Sequence, residues 1–331
     1  MWWPAVSDLD TLFDKALGAY LGLAIGDALG ATVEFMRPRE IQAQYGVHRD
    51  MIGGGWLKLP RGQVTDDTTM SLALGNALVC GGEALLRRHA EGDDALVRAI
   101  GDEYVRWLRS KPVDCGNTCR RGIQRYLADG SLSGPPNDGD GGNGALMRNL
   151  PVVLATLYDD AAFERVSLAQ ARLTHHHPLS DAAVLGIGRM TRLLLQGASH
   201  DEACRWARDW VQLHPKFAHT PYRGRATAYV LDTVQTVLHH FAEFNDFEAA
   251  VVATVNQGDD ADTTGALVGM LAGAHCGARA LPSRWLGRLQ RNTVSAITEQ
   301  ASALLAIGTA IHHSAHRAPI SPHPGEPHAA V

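Results

Sequence analysis

The chain has 331 residues, 45% of them hydrophobic and 20% charged, with a formal net charge of −5. This is the composition of a globular protein with a sizeable core, and its acidic balance gives no support to binding of nucleic acid or of an anionic membrane. Five cysteines (Cys80, Cys115, Cys119, Cys204, Cys276) make an odd number without a C-x-x-C pair, the pattern of reduced thiols in a cytosolic protein rather than of a disulfide framework.

Residues 1–10 read as a loose arm, without the basic start and long apolar core of a signal peptide. No run approaches the roughly 18 apolar residues of a membrane span. From Leu12 the pattern is helical, with Gly18, Gly22, Gly26 and Gly30 recurring every four residues. Glycine costs about 1 kcal/mol per site inside a helix, so four on one face need a packing reason. Gly265, Gly269 and Gly273 repeat the stripe, and the two predict helices packed backbone against backbone. The first helix also delivers Asp27 and Glu34, awkward core residues and plausible site residues.

Residues 46–64, with Gly53-Gly54-Gly55-Trp56 and Pro60-Arg61-Gly62, form a turn-rich loop. It leads to Thr65-Asp66-Asp67-Thr68-Thr69 and a helix over about 68–80; another over 94–109 turns Trp107 and Leu108 inward. Arg87-Arg88-His89 reads as a solvated face. Val113-Asp114-Cys115-Gly116-Asn117-Thr118-Cys119 resembles a helix start, whose two thiols make a poor zinc site and read as small packing residues. Between Asp129 and Gly144 the chain is rich in Gly, Pro, Ser, Asn and Asp. A binding loop is expected there, since successive glycine amides can form a nest for a pyrophosphate.

His175-His176-His177 invites a metal reading, but adjacent histidines rarely point at one ion, so substrate hydrogen bonding or helix capping is preferred. The remainder to about Ala310 is helical in period, with Tyr222 and Tyr229 flanking Arg223-Gly224-Arg225. Strand alternation is nearly absent, which predicts an all-α fold. The tail from His312, rich in Pro, His and Ala, is expected to be disordered.

The stretch Asn256-Gln257-Gly258-Asp259-Asp260-Ala261-Asp262-Thr263-Thr264-Gly265 repeats the Asp/Thr-rich helix start of residues 65–69. One hydroxyl or carboxylate suffices to cap a helix, so two such clusters point beyond capping. Carboxylate and hydroxyl oxygens without Cys or His suit a hard cation such as magnesium or manganese. A shared site would bring residue 66 beside residue 260 and make the chain one domain.

Gly26-Asp27-Ala28-Leu29-Gly30-Ala31-Thr32-Val33-Glu34-Phe35, Thr65-Asp66-Asp67-Thr68, Gly142-Asn143-Gly144-Ala145-Leu146-Met147-Arg148, Thr174-His175-His176-His177-Pro178 and Asp260-Ala261-Asp262-Thr263-Thr264-Gly265, in this order, resemble the ADP-ribosylglycohydrolase family over about residues 12–310. The resemblance implies a compact, single-domain all-α fold over residues 11–311 around two divalent ions, manganese or magnesium. Implied metal ligands are Thr65, Asp66, Asp67, Asp260, Asp262 and Thr263. Glu34 matches a glutamate at the metal site, and Asp114 an acidic residue acting on the ribose. Asn117, Thr118, Cys119, Asp138, Asp140, Asn143, His175 and Tyr229 fall where the family contacts ADP-ribose. One departure is Asp259, where the family commonly has glycine. Aspartate is among the less costly substitutes if the position needs positive φ.

The activity implied is hydrolysis of the N-glycosidic bond between ADP-ribose and an arginine of dinitrogenase reductase, the nitrogenase iron protein, which restores its activity. Glycosidic cleavage passes through an oxocarbenium-like state helped by carboxylates, with Asp114 or Glu34 as acid–base candidates. The alternatives are a hydrolase of a serine-linked or O-acetyl-ADP-ribose bond, or a non-catalytic ADP-ribose-binding module. The implied regulators are a PII signalling protein and an ammonium transporter, acting on a cytoplasmic enzyme that reaches the membrane only through partners.

Overall fold

The structure, a computed structural model, describes residues 6–316. These form helices α1 (Val6–Gly30), α2 (Pro38–Tyr45), α3 (Asp66–Ala90), α4 (Ala95–Arg109), α5 (Asn117–Asp129), α6 (Leu150–Ala155), α7 (Asp160–Arg172) and α8 (Pro178–Leu195). The second half contributes α9 (His200–Leu213), α10 (Val230–Glu243), α11 (Phe247–Val255), α12 (Ala261–Cys276), α13 (Ser283–Leu286) and α14 (Arg291–His316). Among the described residues there is no strand, only two isolated bridges, Gly54 with Leu59 and Gly142 with Tyr229. The fold is all-α, as the missing alternation predicts.

The most extensive contact in the molecule joins α1 to α12. A Cβ at Gly18, Gly22 or Gly26 would run into the backbone of Gly273, Gly269 or Gly265, and one at Gly30 into that of Ala261. The partners descend as the glycines ascend, so the helices are antiparallel and touch backbone to backbone. From Gly18 onward α1 is buried on every side, as α12 is from Ala261 to Ala274. This pair forms the centre of the core, and its register brings the C-terminal end of α1 to the N-terminal end of α12.

Helix α3 is long and apolar enough to cross a membrane by length and composition, with a mean hydropathy of 1.3 over its best window. Counting uninterrupted apolar residues overlooked it. Its apolar face is covered by α4, α6 and α14, so it serves as a core helix. Gly82 breaks it at φ +56, past the predicted end near residue 80. Trp107 is buried as predicted, and its indole N–H donates to Thr69 at 3.0 Å, tying α4 to the start of α3.

Of the expected N-terminal arm, residues 6–10 belong to α1, and residues 1–5 lie outside the described part. At the other end α14 continues to His316, and the rest of the expected tail, 317–331, also lies outside it.

Candidate active site

Asp27, at the end of the glycine-striped helix, is completely buried and accepts the backbone N–H groups of Thr65 and Thr68 and the Thr68 hydroxyl. It therefore caps α3 from another helix. The N-terminal residue Thr65 has no capping bond from its own side chain, so Asp27 fills that need. This frees the carboxylates of Asp66 and Asp67 for other work.

Asp66 accepts the Gly116 N–H at 3.1 Å. Asp67 Oδ2 accepts the hydroxyls of Thr65 at 3.3 Å and Thr263 at 3.2 Å, which joins residues almost two hundred positions apart. The Thr65 hydroxyl also lies 3.4 Å from Asp262, and Asp260 is held by the Asn143 amide at 2.5 Å. Both acidic clusters thus meet at one place. Side-chain oxygens of Glu34, Asp114 and Asp262 add a group lying within 4.8 Å of one another.

The loop before α12 puts the departure noted in the sequence in left-handed backbone. Gly258 and Asp259 both take positive φ, +67 and +52. Asp259 donates its N–H to Met36 at 2.9 Å and accepts that of Phe35 at 2.6 Å. Phe35 is itself left-handed at φ +62, so two unusual backbones are hydrogen-bonded together. This clasp fixes Glu34 against the Asp260 loop. Asn256, at the start of the same stretch, exchanges hydrogen bonds with the His48 backbone and so anchors the 46–51 segment instead.

Among the described residues, none of Asp27, Glu34, Asp66, Asp67, Asp260 and Asp262 is ion-paired to a lysine or arginine. Burial, reinforced by the neighbouring carboxylates, pushes Asp66 up to about 7 and Asp260 to about 6. Burial likewise lifts Glu34 to about 8 against the Trp56 hydrogen bond, and holds Asp67 and Asp262 well above the usual carboxylate range. Such a set holds full negative charge at neutral pH only with a compensating cation. Asp67 Oδ1 is buried and without a hydrogen-bond partner, a lone pair left for a ligand. The donors are all oxygen, so the residues present fit a hard divalent ion.

A cavity of about 420 Å³ opens beside this cluster. Glu34, Asp66, Asp114, Asp260, Asp262 and Thr263 form its acidic floor, while Asn117, Thr118, Cys119, Asn143 and His175 line its other side. Thr65 and Asp67 are buried beneath it. Three of the expected ADP-ribose contacts do not line it. Asp138 is exposed, Asp140 is buried in an ion pair with Arg121, and Tyr229 packs over Gly141. A larger cleft of about 580 Å³ near Arg49 has charged walls that neutralise each other, Arg284 holding Glu248 at 2.7 Å.

None of Gly139, Gly141, Gly142 and Gly144 has positive φ, so the expected left-handed nest is absent there. The glycines serve close packing: a Cβ at Gly144 would lie 2.8 Å from the Cys119 sulfur and 2.9 Å from the His175 ring. The three histidines diverge. His177 caps α8 through Leu179, His176 bonds the Gly134 carbonyl, and only His175 reaches the cavity. Burial, with Arg148 and Arg121 nearby, holds His175 well below its usual range and therefore neutral. Its Nδ1 lies 2.8 Å from the Thr174 hydroxyl, which accepts from Arg148 at 2.7 Å. Donation from that hydroxyl to Nδ1 leaves Nε2 carrying the proton.

Arg148, the last residue of the Gly142–Arg148 motif, has no role that the sequence alone points to. It is fully buried, stacks on Tyr104 at 4.6 Å, and donates to Gln170, Gly144, Thr174 and Cys119. The signal was a lone cation after Ala145-Leu146-Met147. Cys115 and Cys119 are buried free thiols pushed up to about 11 and about 12 by burial, which agrees with packing rather than nucleophilic roles.

A sequence model of the ADP-ribosylglycohydrolase family matches residues 8–313. The chain is 52% identical to the Rhodospirillum rubrum protein called ADP-ribosyl-(dinitrogen reductase) glycohydrolase, over 90% of this chain and 97% of that protein. It is 30% identical to the ADP-ribosylarginine hydrolase Tri1 of Serratia proteamaculans, over 87% and 78% of the two. Among solved structures, one described as an ADP-ribosylglycohydrolase-related protein complex superposes with a TM-score of 0.75 at 33% identity, covering 90% of this chain and 99% of that one.

Proposed function

Since the chain belongs to the ADP-ribosylglycohydrolase family, we propose that it hydrolyses the N-glycosidic bond of ADP-ribosyl-arginine on dinitrogenase reductase and so reactivates that protein. The observation that carries the reading is the meeting of the 65–67 and 260–263 clusters with Glu34 and Asp114 on one cavity. The arginine linkage and the iron protein come from the names of the similar proteins.

In the reaction water adds at the anomeric carbon of the ribose. The carbon–nitrogen bond breaks with its electrons going to the guanidine, and that nitrogen takes up a proton; ADP-ribose and arginine leave. Glu34 and Asp114 are the carboxyls for proton transfer. Asn117, Thr118, Asn143 and the Nε2–H of His175 offer hydrogen bonds to sugar hydroxyls and phosphates on the opposite wall. Thr65, Asp66, Asp67, Asp260, Asp262 and Thr263 would hold two divalent ions, manganese or magnesium. When bound, such ions orient ribose hydroxyls and lower the pKa of a water.

The proposal takes residues 11–311 as the catalytic domain. It includes a cytoplasmic location, with a PII signalling protein and an ammonium transporter as regulators and as the only route to the membrane. This rests on the resemblance and on the core position of α3.

The test is release of ADP-ribose from ADP-ribosyl-arginine and ADP-ribosyl-serine peptides, with and without manganese. Manganese-dependent cleavage of the arginine peptide is expected. Preference for the serine peptide, or no cleavage of either, would overturn the assignment.

A further inference from the structure

The chemistry above leaves one feature of the cavity unused, the aromatic pair Phe35 and Trp56 on its rim. We infer that this pair is the docking face for the guanidinium of the departing arginine, and so part of what selects an arginine linkage; the inference rests on the proposed hydrolysis. Phe35 is 63% exposed and Trp56 51% exposed, so core packing does not explain either ring. Phe35 is also held in left-handed backbone, which side chains of its size rarely adopt, by its bond to Asp259. Exposure and strain in one residue mark a functional position more than a structural one.

The rings are fixed rather than loose. Trp56 follows Gly53, Gly54 and Gly55, all at positive φ, and a Cβ at Gly55 would strike the Ala31 carbonyl. Its indole N–H donates to Glu34 at 2.6 Å, and its ring centroid lies 5.3 Å from that of Phe35. The cavity these rings border is lined by five carboxylates, with no lysine or arginine among its walls. A planar, weakly hydrated guanidinium stacks on aromatic faces, and no side-chain cation on these walls repels it.

An adenine ring would also stack, but its place in the substrate argues against it. In ADP-ribose the base is separated from the reacting anomeric carbon by two riboses and a pyrophosphate. Trp56 touches Glu34, whose oxygen lies within 4.8 Å of those of Asp114 and Asp262. A group beside these carboxylates, next to the reacting carbon and open to solvent, is the leaving group.

The experiment compares wild type, Phe35→Leu and Trp56→Phe, all manganese-loaded. Leucine keeps an apolar side chain and removes the π-face from an exposed position. Loss of one solvent-exposed cation–π contact predicts a KM for ADP-ribosyl-arginine peptide raised about two- to fivefold with kcat little changed. Affinity for ADP-ribose alone, by titration calorimetry, is expected to stay within about twofold of wild type, since the product lacks the guanidinium. Trp56→Phe retains a ring but loses the indole N–H, so kcat is expected to fall while KM holds. An unchanged KM in Phe35→Leu would overturn the inference while leaving the hydrolase reading intact. So would a parallel loss of ADP-ribose affinity, which makes the ring an adenine platform. A wild type that neither cleaves ADP-ribosyl-arginine nor binds ADP-ribose removes the hydrolase reading first.

Discussion

At the scale of single residues, similar acidic side chains have different neighbours, and these decide their work. Asp27 is spent on three donors at the start of α3, whereas Asp67 keeps one buried oxygen without any partner. Asp114 was open to a reading as a helix cap, but the residue at the start of α5 is Gly116. The Asp114 carboxylate accepts only the adjacent Cys115 N–H, at 2.7 Å, and otherwise faces the cavity. Asparagine can accept that same N–H, so Asp114→Asn is expected to keep fold, metal content and ADP-ribose affinity. Removing the titratable carboxyl from proton transfer costs on the order of a hundredfold in rate. Single-turnover release of ADP-ribose from modified iron protein measures this; a rate within a few-fold of wild type would leave Glu34 as the sole acid–base group.

At the scale of elements, the α1–α12 contact sets the distance between the two halves of the site. Gly22→Ala poses a conflict of two magnitudes. Alanine in a helix interior gains about 1 kcal/mol over glycine, while overpacking a tight core costs typically 1–3 kcal/mol and more when backbone is the obstacle. At Gly22 the obstacle is the Gly269 carbonyl, which cannot rotate away. The variant is therefore expected to unfold at lower denaturant and to bind manganese more weakly, because parting the helices parts Glu34 from Asp262. A midpoint at or above that of wild type would show that the contact is looser than described.

This contact was legible from glycine spacing, and the acidic clusters from their composition, because both are local patterns with few physical explanations. Other features were not. That Asp27 caps a helix 38 positions away, or that Asn143 holds Asp260, depends on contacts between distant segments that carry no local signal. The loop glycines at 139–144 suggested an amide nest in a binding loop; Gly142 and Gly144 do line the cavity, but their packing carries no local signal either. What demands them is the Cys119 sulfur and the His175 ring, which come from elsewhere in the chain. The role of Trp56 needed the position of Glu34.

At the scale of the whole molecule, a nest of buried carboxylates opposes folding unless its charge is answered. Asp27, Asp66 and Asp260 are raised from 3.8 to about 6, about 7 and about 6, and Glu34 from 4.5 to about 8. Between those limits the folded state holds more protons than the unfolded one, so the slope of unfolding free energy with pH is negative. Buried histidines with lowered pKa, His175 and His240 among them, oppose this below about pH 6.5, so chelator-treated protein is expected to melt at lower temperature at pH 8 than at pH 6.5. Manganese should raise the melting temperature more at pH 8, where its ligands are ionised. Calorimetric melting at both values checks this, and a metal-free protein more stable at pH 8 would contradict it.

The proposed hydrolase needs residues 65–67 and 260–263 to hold divalent ions in one site. Titration calorimetry with manganese on wild type, Asp66→Ala and Asp262→Ala, paired with an ADP-ribosyl-arginine turnover assay, tests it most directly. Removing either carboxylate, one from each cluster, is expected to weaken manganese binding and abolish turnover. Wild-type affinity and stoichiometry in both variants would contradict it.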